Sequence, residues 1–303
     1  MNAIEVKNLT KSYGKFHAVE DISFNVKKGS VCAILGSNGS GKTTTIKSIS
    51  NLIIPDGGEI KLFGEDNKKS SDKITAIFEG TRNLYWRLTP PENLRYFAGI
   101  RGLGGKEIEK KIDKLLDKFN LSDKRNETVN RLSRGMQQKI AIAMTLISNT
   151  DIILLDEPTL GLDIQSFMDI KDILKDISKN MNKTVLLSTH DMNLVQDVCD
   201  YVVILKNGKI VAQDKIESLL DMFKSMTYEI VLTEDLSEEN KEDIRKLEYN
   251  FHFNNKEKVI EIDIFDLRDV YGIVEKLKEK NILIKEIKQK EVDFERVYLQ
   301  LTK

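Results

Sequence analysis

Residues 36 to 44 read Gly-Ser-Asn-Gly-Ser-Gly-Lys-Thr-Thr. Gly36, Gly41, Lys42 and Thr43 fill the pattern G-x-x-x-x-G-K-[ST]. The apolar run Val31-Cys32-Ala33-Ile34-Leu35 precedes them, and a helix-compatible segment, Thr45 to Leu52, follows. Strand, glycine loop and helix are the context in which this pattern binds phosphate. Glycines at 36, 39 and 41 allow backbone conformations that a Cβ forbids. Successive amides then point inward, with Ser37, Asn38, Ser40 and Thr44 completing the loop. A helix opening near Gly41 adds free N–H groups and the positive end of its dipole. Lys42 brings a point charge to β- and γ-phosphates, and Thr43 offers a hydroxyl to Mg²⁺.

The bulk of the chain bounds what surrounds that loop. Its 303 residues suffice for one large or two modest domains. A net charge of −1 gives no global basic field for nucleic acid. The two cysteines, Cys32 and Cys199, each sit in an apolar neighbourhood and read as buried free thiols in a reducing compartment. No apolar run approaches the ~20 residues of a membrane span. The start, Met1-Asn2-Ala3-Ile4-Glu5, lacks a signal-peptide pattern. A membrane role therefore has to pass through a partner.

Towards the N-terminus, residues 3 to 9 alternate as a half-exposed strand, and Ala18 to Val26 forms a second with Ile22, Phe24 and Val26 on one face. Towards the C-terminus, Pro55-Asp56-Gly57-Gly58 is a turn, and Glu59–Phe63 and Ile74–Phe78 are short strands. Residues 79 to 105 then crowd Tyr85, Trp86, Tyr96 and Phe97 among arginines. That mixture reads as a protein interface or as a small helical subdomain with its own core, and both readings stand. Pro91-Glu92 opens a helix to Ile100. Glu107 to Phe119 makes another, with Ile108, Ile112, Leu115, Leu116 and Phe119 on one stripe. Leu132-Ser133-Arg134-Gly135-Met136 heads a further helix. Ile152–Leu155 is wholly apolar, as in a central parallel strand, and ends in Asp156-Glu157; Lys183–Ser188 reads as another buried strand and ends in Thr189-His190. A long helix, about Ile164 to Asn180, separates them, and a short one covers Leu194 to Cys199. Tyr201–Leu205 and Lys209–Val211 pair across Asn207-Gly208. Strands alternating with helices argue an α/β core with a parallel sheet.

Beyond residue 215 the texture changes. A linking helix, Ile216 to Phe223, leads to a strand (Thr227–Leu232), a helix (Glu238–Leu247), a hairpin (Tyr249–Phe253 and Lys258–Ile264 around Asn254-Asn255), a helix (Leu267–Glu279) and a strand (Ile282–Ile287). That is the split βαβ order, with a last helix at Phe294–Leu301. It carries no glycine loop and no Cys or His cluster, and reads as an accessory domain without chemistry of its own.

Together the motifs resemble the ATP-binding subunits of ABC transporters. Over residues 1 to 215 the family's elements occur in order: the phosphate loop Gly36–Thr43, the signature Leu132–Met136, the Walker B strand Ile152–Asp156, the D-loop Gly161-Leu162-Asp163 and the switch histidine His190. The resemblance implies an α/β P-loop NTPase (ABC ATPase) core, an N-terminal antiparallel β subdomain and a helical signature subdomain at about 80–148. An α+β ferredoxin-like domain follows at 216–303. It implies ATP and Mg²⁺ as ligands. Thr43, Glu79 and Asp156 would hold the metal, and Lys42, Glu157 and His190 would serve catalysis, Glu157 by orienting or deprotonating the attacking water. Tyr13 matches the aromatic that stacks on adenine. Ser133, Gly135 and Asp163 would serve the nucleotide held by a second copy, so that two cassettes sandwich two nucleotides.

Three positions depart from the family pattern. Glu79 stands where glutamine is usual, and Arg134 and Met136 replace the glycine and glutamine of the signature. Arg134 reads either as added charge beside the γ-phosphate or as a solvent-facing side chain. The run Glu79–Trp86 and the tail resemble daunorubicin-type drug-efflux ATPases. That implies an integral membrane permease as partner, export of drugs, lipids or other small molecules, no nucleic acid, and a cytoplasmic place on the inner face of the cell membrane. The alternatives are a soluble ABC ATPase acting on ribosomes or nucleic acid, and a non-catalytic binding module.

Overall fold

Alternating buried and exposed side chains over residues 2 to 27 build a long antiparallel pair, β1 (Asn2–Tyr13) and β2 (Phe16–Lys27). Here and below the computed structural model describes residues 1–80, 83–222, 226–245, 250–254, 258–264, 268–290 and 294–302. The pair runs longer than the alternation at residues 3 to 9 foretold, because cross-strand bonding continues past Leu9 to Tyr13↔Phe16. Ile22, Phe24 and Val26 share the buried face as expected. β3 (Val31–Leu35) follows, buried on both faces.

The first helix is α1 (Lys42–Ile49), opening beside Gly41 as the phosphate-loop reading expects. Thr45 N already donates to Gly41 O at 2.9 Å, and Asn51 leaves the helix in the left-handed region. β4 (Gly57–Leu62), β5 (Glu65–Asp66) and β6 (Ile74–Ile77) come next. The two-residue β5 carries too little pattern to be seen in sequence. α2 (Pro90–Ile100) opens with prolines in its first turn, and the Glu92 carboxylate accepts from Thr89 N at 2.8 Å. α3 (Lys106–Lys118) buries Ile108, Ile112, Leu115 and Leu116, the stripe its spacing set. α2 and α3 pack on α4 (Arg134–Ile147).

β7 (Ile152–Asp156), α5 (Ile164–Met181), β8 (Thr184–Thr189) and α6 (Met192–Val198) complete the alternation. β9 (Tyr201–Lys206) and β10 (Lys209–Lys215) form the hairpin that Asn207-Gly208 announced. Two sheets result. One is antiparallel, β2-β1-β4-β5. The other runs β10-β9-β3-β8-β7-β6, parallel but for the β10 edge. One apolar core joins them, from Ile4 and Phe24 through Ile34 and Ile46 to Leu154 and Leu186.

The residues fall into two compact units, Met1–Ile216 with Thr302, and Glu217–Leu301. After α7 (Ile216–Met222), the second unit has β11 (Met226–Leu232), α8 (Glu238–Arg245), β12 (Asn250–Asn254), β13 (Val259–Ile264), α9 (Asp269–Glu279), β14 (Ile284–Lys290) and α10 (Phe294–Leu301). Its sheet order, β12-β13-β11-β14 with every neighbouring pair antiparallel, is the ferredoxin-like arrangement that the split βαβ reading predicts. Ile230, Ile260, Ile262, Ile244 and Ile273 form its core. The expected boundary residues Phe223, Leu247, Tyr249, Asn255 and Leu267 lie outside the described residues, as do Thr81 and Arg82. Among the described residues no helix is long and apolar enough to cross a membrane.

Candidate functional site

Parallel strands aim their carboxyl ends one way, and ligands of such sheets gather there. β3 leads into Gly36, β7 ends at Asp156 and β8 at Thr189 just before His190, while Glu79 lies two residues past β6. Asn38, Gly39, Gly41, Lys42, Thr43 and Thr44 line a cleft of about 390 Å³, which Glu79, Glu157 and His190 also border. Gly36 and Gly41 are required by space. A Cβ at Gly36 would meet Leu205 O at 2.5 Å. One at Gly41, where φ is 106°, would collide with Ala18 O.

Lys42 folds back into the loop. Its ammonium donates to Gly36 O at 2.7 Å and Ser37 O at 3.2 Å, and lies 3.4 Å from Glu157 Oε1. Both side chains are under a tenth exposed. Buried charges of this kind persist only when paired and hydrogen-bonded. Glu157 reaches Lys42 because its own backbone turns sharply out of β7, at φ 49°, with its N–H donating to Ser188 O and Oγ, each at 3.1 Å. His190 Nδ1 stands 3.0 Å from the other oxygen, Glu157 Oε2. Thr43 Oγ1 donates to Asp156 Oδ1 at 3.0 Å, and Ser188 Oγ donates to the same oxygen. Ser188 lies beside Asp156 in the β7–β8 register and is wholly buried. A serine closing an otherwise apolar strand was the signal that sequence reading passed over.

The oxygen donors fit a magnesium nucleotide. Thr43, Asp156 and Glu79 are hard ligands suited to Mg²⁺, which keeps waters and takes few protein groups when phosphates supply the rest. The loop that a Cβ would fill is shaped for phosphate oxygens, and Ser40 Oγ is buried inside it without a protein partner.

Ser133, Gly135 and Asp163 do not line this cleft. They gather elsewhere, where two helices begin. Ser133 caps α4, accepting from Met136 N at 3.3 Å. Asp163 caps α5, accepting from Ser166 N at 2.9 Å and Ser166 Oγ at 2.8 Å, which holds its carboxyl below the usual range. A Cβ at Gly135 would collide with Ser166, so the two helix starts touch. Arg134 leans the same way: its Nη1 lies 3.2 Å from where a Gly161 Cβ would stand. Arg134 is exposed, in line with the solvent-facing reading, and its approach to the chain's own D-loop lies outside both readings.

Tyr13 sits at the tip of the β1–β2 hairpin, 49% exposed, with the Lys11 ammonium 5.7 Å from its ring. The aromatic that lines the cleft is its cross-strand partner Phe16. Direct cross-strand partners share a face. Sequence reading missed Phe16 because only the hairpin register brings it there.

The comparisons with known proteins agree with this architecture. A family model described as ABC transporter matches residues 19–160. The ABC transporter ATP-binding protein NatA of Bacillus subtilis (strain 168) is 41% identical over 212 residues, covering 69% of this chain and 86% of that protein. The uncharacterized ABC transporter ATP-binding protein YxlF of the same organism is 29% identical over 300 residues, covering 98% of this chain and 99% of that one. A solved dimeric ATP-binding cassette in a post-hydrolysis state, bound to ADP and Pi, superposes with a TM-score of 0.64 at 31% identity, covering 70% of this chain and 98% of that chain.

Proposed function

This chain belongs to the ATP-binding subunits of ABC transporters, and from that premise we propose that it hydrolyses ATP in the Gly36–Thr44 cleft to drive a separate integral membrane permease. The observation that carries the reading is the convergence on one cleft of Lys42, Thr43, Glu157 and His190, with Asp156 bonded to Thr43 beneath them, beyond the ends of β3, β7 and β8. The loop amides and Lys42 would bind the β- and γ-phosphates. Thr43, Asp156 and Glu79 would hold Mg²⁺, which when bound supplies charge neutralisation for phosphoryl transfer. Glu157, released from Lys42 as phosphates take its place, would orient the attacking water, and His190 would steady that carboxylate. Tyr13 and Phe16 would offer their rings to the adenine.

The capped start of α4 and the D-loop stand apart from the cleft, which supports their serving the nucleotide of a second copy. The solved post-hydrolysis cassette is itself a dimer bound to ADP and Pi. ATP would then join two copies and hydrolysis would part them. The exposed aromatics Tyr85, Trp86 and Tyr96 would face the permease, placing the protein on the inner face of the cell membrane. We take the direction as export of drugs, lipids or other small molecules, on the resemblance of the Glu79–Trp86 run and the second unit to drug-efflux ATPases. No observation favours the ribosomal or nucleic-acid alternative.

The test is a pair of variants. Glu157→Gln should keep Mg·ATP binding while turnover falls by about 10²–10⁴. Lys42→Ala should lose binding itself. Unchanged turnover in Glu157→Gln, or no ATP binding by the wild type, defeats the proposal.

A further inference from the structure

We propose that the empty phosphate loop is a self-modifying site: Asn38, followed by Gly39, loses its side-chain amide unless a nucleotide holds the loop, and the acid it becomes ends nucleotide binding. The protection rests on the nucleotide reading above; the reactivity of the empty loop stands without it.

The chain has two Asn-Gly pairs, Asn38-Gly39 and Asn207-Gly208. An asparagine before glycine is the one most open to attack by the following amide, because no side chain stands over the attacking nitrogen. The two pairs meet at Ser40 and are held in opposite ways. Asn38 and Gly39 are the central residues of a turn closed by Ser40 N, which donates to Ser37 O at 3.2 Å. Gly39 takes φ 81°, which costs a glycine nothing. Both residues are exposed, and a Cβ built on Gly39 would meet nothing within 4 Å. Among the described residues no acceptor takes the Gly39 N–H.

Gly208 is the reverse. It is buried, its N–H donates to Ser40 O at 3.1 Å, and its carbonyl accepts from Glu20 N at 2.8 Å. A Cβ there would stand 3.1 Å from Ala18 O. That nitrogen is committed and crowded, and must leave the loop by local opening before it can react.

In the empty loop the Gly39 nitrogen attacks Asn38 Cγ. An N–Cγ bond forms and the bond from Cγ to Nδ2 breaks. Nδ2 leaves as ammonia with the proton that Gly39 N gives up, and a cyclic imide remains. Water then opens the ring at either carbonyl, leaving aspartate or isoaspartate at position 38, with no oxidant or reductant involved. Either product sets a carboxylate where phosphate oxygens would lie. Isoaspartate also lengthens the main chain by a carbon, so the loop amides fall out of step. Bound phosphate would engage those amides, Gly39 N–H among them, and so keep the attacking nitrogen protonated and in place.

Full-length protein, empty or saturated with Mg·AMP-PNP, is kept in warm, mildly alkaline buffer, and conversion of both asparagines is followed by peptide mapping. In the empty protein Asn38 should convert about fivefold or more faster than Asn207. Nucleotide at about 100 times its dissociation constant should slow Asn38 by about tenfold or more. Calorimetry on the sample aged empty should show AMP-PNP stoichiometry falling in step with Asn38 conversion. Asn207→Ser, which lacks the second pair, should lose binding at the same rate as wild type. Asn38 that converts no faster than Asn207, or not at all, overturns the site. Full stoichiometry in converted protein overturns its effect on binding, and conversion that saturating nucleotide does not slow overturns the protection. If fresh protein binds no AMP-PNP, the nucleotide reading falls and takes the protection with it, while fast conversion of Asn38 in the empty chain still upholds the site.

Discussion

Gly41 shows how narrowly single residues constrain the cleft. Its φ of 106° is open to glycine, and its Cα faces Ala18 O across a gap with no room for a methyl group. Gly41→Ala should therefore destabilise the first unit by about 1–3 kcal/mol and weaken nucleotide binding, read by thermal denaturation and calorimetry. A variant as stable as wild type would show that the loop relaxes freely. This glycine was legible from its spacing alone, as were Lys42 and Thr43, because phosphate binding fixes those positions along the chain. Asp156 and Glu157 were legible as polar ends of a buried strand. Phe16 was not. An aromatic near a turn carries no local pattern; what gives it meaning is a hairpin register.

At the scale of elements, α4 and α5 behave as one piece. Gly135 meets Ser166 at their starts, and further along Lys139 Nζ pairs with Asp169 Oδ2 at 2.7 Å, with Lys139 only 8% exposed. Removing the carboxylate leaves a buried ammonium without its anion, whereas removing the ammonium leaves a carboxylate that water reaches. Asp169→Ala should thus cost about 1–3 kcal/mol, and Lys139→Met clearly less, in chemical denaturation. Equal losses would mean that the pair is held no more tightly than a surface one. Helices such as α3 were readable from their stripes, and the hairpin of β9 and β10 from Asn207-Gly208. The strand order β10-β9-β3-β8-β7-β6 was not, since periodicity identifies a strand and says nothing of its neighbours.

For the whole molecule, the probes are unevenly shared. Cys32, Cys199 and Trp86 all belong to the unit Met1–Ile216. Burial pushes the Cys32 thiol up to about 12 and Cys199 well above its ordinary value, so both stay protonated and inert while that unit is folded. Two units with separate cores need not melt together. Heating should give two steps in circular dichroism, with thiol labelling and Trp86 emission following a single one of them. Mg·AMP-PNP at 100 times its dissociation constant should raise that step alone, by about 2.7 kcal/mol of stabilisation. A ligand that moves both steps equally would show the units to be thermodynamically fused. The sequence changes texture after residue 215, where the βαββαβ order begins, and the two compact units part between Ile216 and Glu217.

Glu79 and Glu157 border the cleft, Asp156 bonds Thr43 behind it, and one ammonium, on Lys42, stands 3.4 Å from Glu157 Oε1. Without a divalent cation, these carboxylates would oppose the pull of Lys42 and the loop amides on a bare polyphosphate. Nucleotide stripped of its counter-ion, or orthophosphate on its own, should be turned away at the door. A bound metal would then be an entry permit as well as a reagent, and chelation should weaken capture as well as cleavage.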